Sequence, residues 1–345
     1  MKISNLFRAC KVWAKQIATG IYDECLCAEA RVIGDEIWQT VMESKGPRHK
    51  TIHVSTVNFC NAKCVFCGQH RFKWEFGTMS DDTFNQLLIG ARSMGIQDID
   101  FTPPLGDPLL DKDLFKRAIQ ARMAGMKSVQ MTTNGILFSD AKIAAKTGVL
   151  FDEIRISMGG LDRASYRSAY GYDRFDDVWE GIENLSRYKS AKSRILIFMR
   201  SQRTPMELMS HPLWSELVAI PNLTVEFTNL YDNWGGSVRP EYLSGAMKPR
   251  KLLKKPKVPC IGLWQFFVEW DGSVRLCGCR FYEKEQDDLK IGNVNEEKLG
   301  EILSYDRIKK VMDKFDGDHQ CLPDVCKNCT LYRPMTSRWA RTHGL

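Results

Sequence analysis

Three cysteines crowd into Cys60-Asn-Ala-Lys-Cys64-Val-Phe-Cys67, just past the β-branched run Thr51-Ile-His-Val-Ser-Thr-Val57. That run reads as a strand, so the thiols fall on the loop that follows it. A structural disulfide needs two thiols, not three, and a reducing cytoplasm does not form one. Thiolates this close suit a soft, multi-iron centre. A cubane cluster ligated by three cysteines keeps one iron open to a substrate or cofactor. The competing reading is zinc, which wants four ligands and would recruit His70 as the fourth. The chain has 12 cysteines, and none lies between Cys67 and Cys260. Two clusters flanking a long cysteine-free body point to two metal centres rather than a disulfide net, in a reducing, oxygen-poor cytoplasmic setting.

Cys-x3-Cys-x2-Cys after a first strand, with Phe66 just before the last cysteine, resembles the radical S-adenosylmethionine enzymes. The resemblance implies a [4Fe–4S] cluster on Cys60, Cys64 and Cys67 whose open iron chelates S-adenosylmethionine. It implies reductive cleavage of the sulfonium, a 5′-deoxyadenosyl radical that abstracts a substrate hydrogen, and a flavodoxin- or ferredoxin-type electron donor. Further along, Pro103-Pro-Leu-Gly106-Asp107-Pro108 resembles the family's Gly-Glu-Pro segment, with Asp107 one methylene shorter than the glutamate. Thr132-Thr133-Asn134-Gly135 resembles the segment beside the cofactor after the third strand. Ser157 ends the fourth strand, where its hydroxyl would meet the cofactor carboxylate, with Met158 next to it as adenosyl contact or plain core. Arg200 ends the fifth, and its fork suits the cofactor's methionine end or an anionic substrate.

The second set is Cys260, Cys277, Cys279, Cys321, Cys326 and Cys329. Asp271-Gly272 between Phe266-Phe-Val-Glu-Trp270 and Ser273-Val-Arg-Leu276 signals a hairpin. The spacing Cys-x11-Gly-x4-Cys, and Ile291-Gly-Asn-Val294 before a helix, resemble the auxiliary-cluster module SPASM or its shortened form, the twitch. The shortened form implies one auxiliary [4Fe–4S] cluster on Cys260, Cys277, Cys326 and Cys329. Cys279 and Cys321 are then spare: alternative ligands, hydrogen donors to a substrate radical, or structural thiols. A four-cysteine zinc knuckle is the competing reading.

These residues need strands and helices to hold them. Six strands alternate with helices: 51–57, 98–102, 127–132, 153–157, 194–199 and 223–227. Helices are expected from Ser80, over 113–125, 141–147, 175–189 and 208–219, and later over 299–315. Alternating β and α elements describe a parallel sheet, here an α/β fold with a partial (β/α)6 TIM barrel. Sites then lie at the C-terminal strand ends. The polar, aromatic stretch Asp162 to Tyr172 reads as a loop over the barrel mouth, with Tyr166 and Tyr170, and Tyr231, Asp232, Asn233 and Trp234 line the same mouth. The expected division is a helical N-terminal extension (1–50), the barrel (51–246), a basic linker (247–259), the auxiliary-cluster domain (260–335) and a tail (336–345).

Composition is ordinary for a globular chain: 345 residues, 43% hydrophobic, 26% charged, net charge +7. No run of 18 apolar residues occurs, so no transmembrane segment is expected. The charge permits an anionic substrate and gives a nucleic-acid partner little support. The expected activity is radical oxidation of an alcohol to a ketone on a small sugar-like or nucleoside-like metabolite, as in the aminocyclitol dehydrogenase that carries a similar twitch. Arg200, Asp232 and Tyr170 are the candidates to orient the reacting hydroxyl. The alternatives are an epimerase using Cys279 or Cys321 as hydrogen donor, and a peptide-modifying maturase.

Overall fold

The computed structural model describes residues 21–32, 34, 50–71, 75–278 and 287–335. Cys279, most of the N-terminal extension and the tail lie outside the described residues.

The strands of the body are β1 (Thr51–Val54), β2 (Asp98–Phe101), β3 (Ser128–Thr133), β4 (Glu153–Met158), β5 (Arg194–Met199) and β6 (Leu223–Phe227). They pair in sequence order, all parallel. Alternation places Ile154, Ile156 and Met158 of β4 and Ile195, Ile197 and Met199 of β5 on the fully buried face. Met158 is therefore core. The other face is polar, with His53, Gln130, Thr132, Arg155 and Ser157 half-buried and Asp100 buried. Arg155 holds Asp100 at 2.5 Å, and His53 Nδ1 stands 3.5 Å from the same carboxylate. These partners hold Asp100 below the usual carboxylate range although burial pushes it up.

α1 (21–32) comes first in the chain, and between the strands come α2 (Asp81–Ser93), α3 (Leu114–Met123), α4 (Ala141–Leu150), α5 (Arg163–Tyr170), α6 (Phe175–Tyr188), α7 (Pro205–Met209) and α8 (Pro212–Ala219). In α2 the Ser80 hydroxyl accepts from the Thr83 N–H, and Asp81 and Asp82 meet the positive end of the helix. Its Phe84, Leu87, Leu88 and Ala91 fall on one buried stripe. Two expectations change here. The stretch 163–170 is helix, because Asp162 caps it and Tyr166, Ala169 and Tyr170 form a buried stripe within a polar sequence. The single helix expected over 208–219 is two, because Pro212 cannot continue α7 and instead starts α8.

After β6 come β7 (Leu230–Tyr231) and β8 (Lys248–Pro249), a small parallel pair. The basic run is tied down rather than free: Arg250 meets Asp23 at 2.8 Å, Lys251 meets Glu24 at 2.8 Å, and Val258 and Pro259 are buried. The expected hairpin is present as β9 (Phe266–Val268) and β10 (Ser273–Leu276). Ile291-Gly-Asn lies in a third strand, β11 (Lys290–Asn293), antiparallel to β10. The long-range surprise is that β9 pairs parallel with β1, so the sheet runs β11-β10-β9-β1-β2-β3-β4-β5-β6. The six parallel strands and the hairpin share one sheet, with β6 and β11 at its edges. The chain ends in α9 (Leu299–Ile302), α10 (Tyr305–Met312) and α11 (Asp324–Lys327), so the helix expected over 299–315 is also broken.

Glu269 follows β9. Its Oε1 is enclosed with no hydrogen-bond partner, and burial pushes its carboxyl up to about 8. The folded chain therefore holds a proton that the unfolded chain releases near pH 4.5, and loses it only near pH 8. Its contribution to stability is fully present below the unfolded value and is lost as pH rises to about 8. Glu269→Gln should flatten that fall, as read by urea unfolding at pH 6 and pH 8.5.

Candidate functional site

The first thiol set sits past the C-terminal end of β1, on a loop braced from three sides. From the β2 loop, the Gly106 N–H donates to Gln69 Oε1 at 2.9 Å, and the Asp107 N–H donates to the Phe59 carbonyl at 3.0 Å. Gly106 has φ +98°, and a Cβ there would lie 2.7 Å from the Val57 carbonyl. Only glycine permits that close approach. From the β3 turn, Asn134 Nδ2 reaches Asn61 Oδ1 at 2.7 Å and Cys60 Sγ at 3.6 Å. From α5, the Tyr170 and Ala169 carbonyls accept from the Lys63 and Val65 N–H groups, each at 3.0 Å.

Asp107 joins the β2 and β3 braces. Its carboxylate accepts from Thr133 Oγ1 at 2.9 Å, the Asn134 N–H at 2.7 Å and the Leu109 N–H at 3.1 Å. Burial pushes its carboxyl up, and these three donors pull against that. Asp107 and Thr133 thus bond to each other inside the loop scaffold.

Phe66 lies under an aromatic collar. Its ring is 5.5 Å from Tyr170 and 5.2 Å from Tyr231, and the Arg200 guanidinium stands 5.2 Å over it. Tyr166 stacks on Tyr170 at 4.9 Å. The hydroxyls of Tyr166, Tyr170 and Tyr231 and the Arg200 Nε are enclosed without a hydrogen-bond partner. Burial pushes all three phenols above their ordinary value, so they are donors, not bases. Asp232 Oδ2 accepts from the Trp234 N–H at 2.9 Å, and its charge acts on Cys67. Ser157 is half-buried on the polar face of β4.

The thiols fit a cluster. All three are pushed up by burial, Cys60 to about 12 and Cys67 to about 11, and neighbouring thiols raise Cys60 and Cys64 further. Arg200 pulls Cys64 and Cys67 down, and the Gln69 N–H reaches Cys67 Sγ at 3.4 Å. Enclosed thiols that repel one another as anions call for a soft cationic centre. His70 Nε2 is engaged with the Ala62 carbonyl at 2.8 Å, so only its Nδ1 is left to meet a metal. Among the described residues, no three His, Cys, Asp or Glu groups converge on one metal ion. A cubane asks instead for thiolates on separate irons.

The second set gathers around Gly262. A Cβ there would lie 3.0 Å from Cys277 Sγ and 3.5 Å from Cys260 Sγ. Cys326 is pushed far up by burial and by Cys277, Cys329 and Cys260 together. Backbone N–H groups aim at sulfur: Gly262 at Cys260 (3.4 Å), Arg333 at Cys260 (3.5 Å) and Leu331 at Cys329 (3.3 Å). Cys277 itself holds φ +53°, unusual for a residue with a side chain. Cys321 is exposed beside Gly317 and is not among the groups acting on Cys326. Gly262→Ala should fill the cradle and drop the iron of reconstituted protein from about eight to about four per chain. A count still near eight would show the cradle is not a cluster seat.

Sequence reasoning missed Gln69, Gly262 and Lys255. Gln69 and Gly262 are ordinary next to a cysteine, and only the fold shows what they hold.

Residues 54–204 match the Radical SAM superfamily, and residues 260–330 match an iron–sulfur cluster-binding domain, SPASM. A probable GTP 3′,8-cyclase of Saccharolobus solfataricus is 30% identical over 133 residues, 39% of this chain and 42% of that protein. The chain thus spans less than half the length of such curated relatives. Among solved structures, Streptococcus suis SuiB superposes with TM-score 0.53 at 15% identity, covering 85% of this chain and 75% of that one. BtrN in complex with AdoMet and 2-DOIA superposes with TM-score 0.50 at 18% identity, covering 81% and 92%. These likenesses are of fold. Among the described residues, no helix is long and apolar enough to cross a membrane.

Proposed function

We propose that this chain, which carries the radical SAM and SPASM signatures over residues 54–204 and 260–330, is a radical oxidoreductase. It takes a hydrogen atom from carbon on a small nucleotide- or peptide-type substrate. The observation that carries this reading is the pairing of two half-buried to buried thiol sets on one sheet: Cys60, Cys64 and Cys67 past β1, and Cys260, Cys277, Cys326 and Cys329 around the hairpin joined to β1. Bound at the first set, a [4Fe–4S] cluster with S-adenosylmethionine supplies the 5′-deoxyadenosyl radical chemistry.

The chain's own residues do the rest. Gly106, Asp107, Thr133 and Asn134 fix the cysteine loop against the strand ends. Phe66, Tyr170 and Tyr231 exclude water above it. Arg200 brings a fixed positive charge beside Cys64 and Cys67, suited to a carboxylate. The enclosed phenol O–H groups offer donors to whatever fills the collar. Tyr170 and Arg200 hold their protons, so Asp232 is the candidate base among the three first considered.

The substrate class follows the relatives, which include a probable GTP cyclase and SuiB, also solved bound to a precursor peptide. This favours a nucleotide or peptide over the sugar-like alcohol expected first. Ketone formation stays as a second reading, supported by the exposed, outlying position of Cys321, a poor place for a hydrogen donor. The test is anaerobic turnover with a nucleoside triphosphate set and with peptides encoded near the gene, in deuterated water. Deuterium at an inverted carbon would favour epimerisation and sink the oxidative reading. No 5′-deoxyadenosine under reduction, from iron-replete protein, would sink the whole proposal.

A further inference from the structure

Lys255 lies on the strap between β8 and Cys260. Its ammonium donates to the Lys327 carbonyl at 3.0 Å, within the Cys326-Lys-Asn-Cys329 turn. It stands 5.7 Å over the Tyr332 ring. It lines the wall of a cavity of about 720 Å³ between α1, the strap and the C-terminal turns. Five neighbouring cations have carboxylates: Lys251 has Glu24, Lys257 has Asp318, Lys327 has Asp324, and Arg250 and Arg333 share Asp23, while Arg31 donates to the Lys254 carbonyl. No carboxylate lies within ion-pair distance of Lys255 among the described residues. Burial holds it below the usual lysine range, and the thiols Cys329, Cys326, Cys260 and Cys27 are the groups near enough to favour its charge when ionised.

A half-buried cation without a counter-charge destabilises a fold. A cluster on four thiolates answers that need, because the thiolates outweigh the positive charge of the core. One-electron reduction adds a further negative charge, so a nearby cation favours the reduced form. We infer that Lys255 is the counter-ion of the auxiliary centre and raises its reduction potential, preparing it to accept an electron. Lys255 touches neither substrate nor reacting atoms and is a positioning residue for charge. The inference rests on the reading of Cys260, Cys277, Cys326 and Cys329 as cluster ligands.

The experiment uses full-length protein, reconstituted anaerobically, with wild type, Lys255→Met and Lys255→Arg. Redox titration followed by electron paramagnetic resonance reads both centres. In Lys255→Met the auxiliary midpoint should fall by at least 59 mV, a tenfold change in the one-electron equilibrium. Lys255→Arg should stay near wild type, and the midpoint of the Cys60, Cys64 and Cys67 centre should not move. Iron-free protein gives a second reading. There the lysine has no counter-charge, so iron-free Lys255→Met should melt above iron-free wild type. An unmoved auxiliary midpoint at full iron content overturns the inference, as does an iron-free Met variant that melts lower. A wild type with only one cluster signal would instead sink the two-centre reading, and this inference with it.

Discussion

Replacing Cys60, Cys64 and Cys67 together by alanine is expected to abolish 5′-deoxyadenosine formation while leaving about four irons per chain. The three thiols share one braced loop. The fold should survive. Each thiol is half-buried, and the loop is held by the Phe59 carbonyl, which accepts a backbone bond, and by the Lys63 and Val65 N–H groups, which donate one each; alanine keeps all three. The measurement is product by mass after anaerobic reduction, beside an iron assay and a circular dichroism spectrum. Cleavage that persists in a folded triple variant would remove the assignment.

The second large effect is expected at Asp107. Asp107→Ala leaves Thr133 Oγ1 and the N–H groups of Asn134 and Leu109 without an acceptor in a buried place. Orphaning groups of this kind costs about 3 kcal/mol in all, less whatever Asp107 itself loses by being buried. Urea unfolding reads that loss. Iron binding at the first set should weaken too, because Asn134 loses the bond that aligns its Nδ2 with Cys60. Asp107→Glu, the residue of the resembled motif, should not restore the wild type. Asp107 is 3% exposed, and an added methylene there overpacks by about 1–3 kcal/mol. Wild-type stability and iron content in Asp107→Ala would show that the carboxylate braces nothing.

The strands were legible because their signal is local. Arg194–Met199 and Leu223–Phe227 match the expected bounds, being β-branched or apolar runs closed by polar residues or Pro-Asn. The cysteine loops and the glycine and asparagine turns were legible from types and spacing alone. Helix α5 was not, because only three apolar side chains of its eight residues carry the stripe, and Arg163, Ser165, Arg167 and Ser168 hide it. The roles of Asp107 and Tyr170 were not legible either. Sequence puts both near the mouth, and burial turns one into a brace and the other into a collar. Nor does any sequence pattern announce that Phe266–Val268 will pair beside Thr51–Val54, since that contact joins residues more than 200 positions apart.

That distant pairing sets a schedule for synthesis. The β1 edge that will receive β9 leaves the ribosome with residue 54, and its partner ends at residue 268. At about 5–20 residues per second, the edge waits roughly 10–40 s without its neighbour. An unpaired strand edge is a template for other chains. The first thiol set hangs from the end of that strand, so it waits through the same interval in a half-built scaffold. Slower translation should lengthen this exposure, and a nascent chain stopped before residue 266 should aggregate through β1 where the finished chain does not.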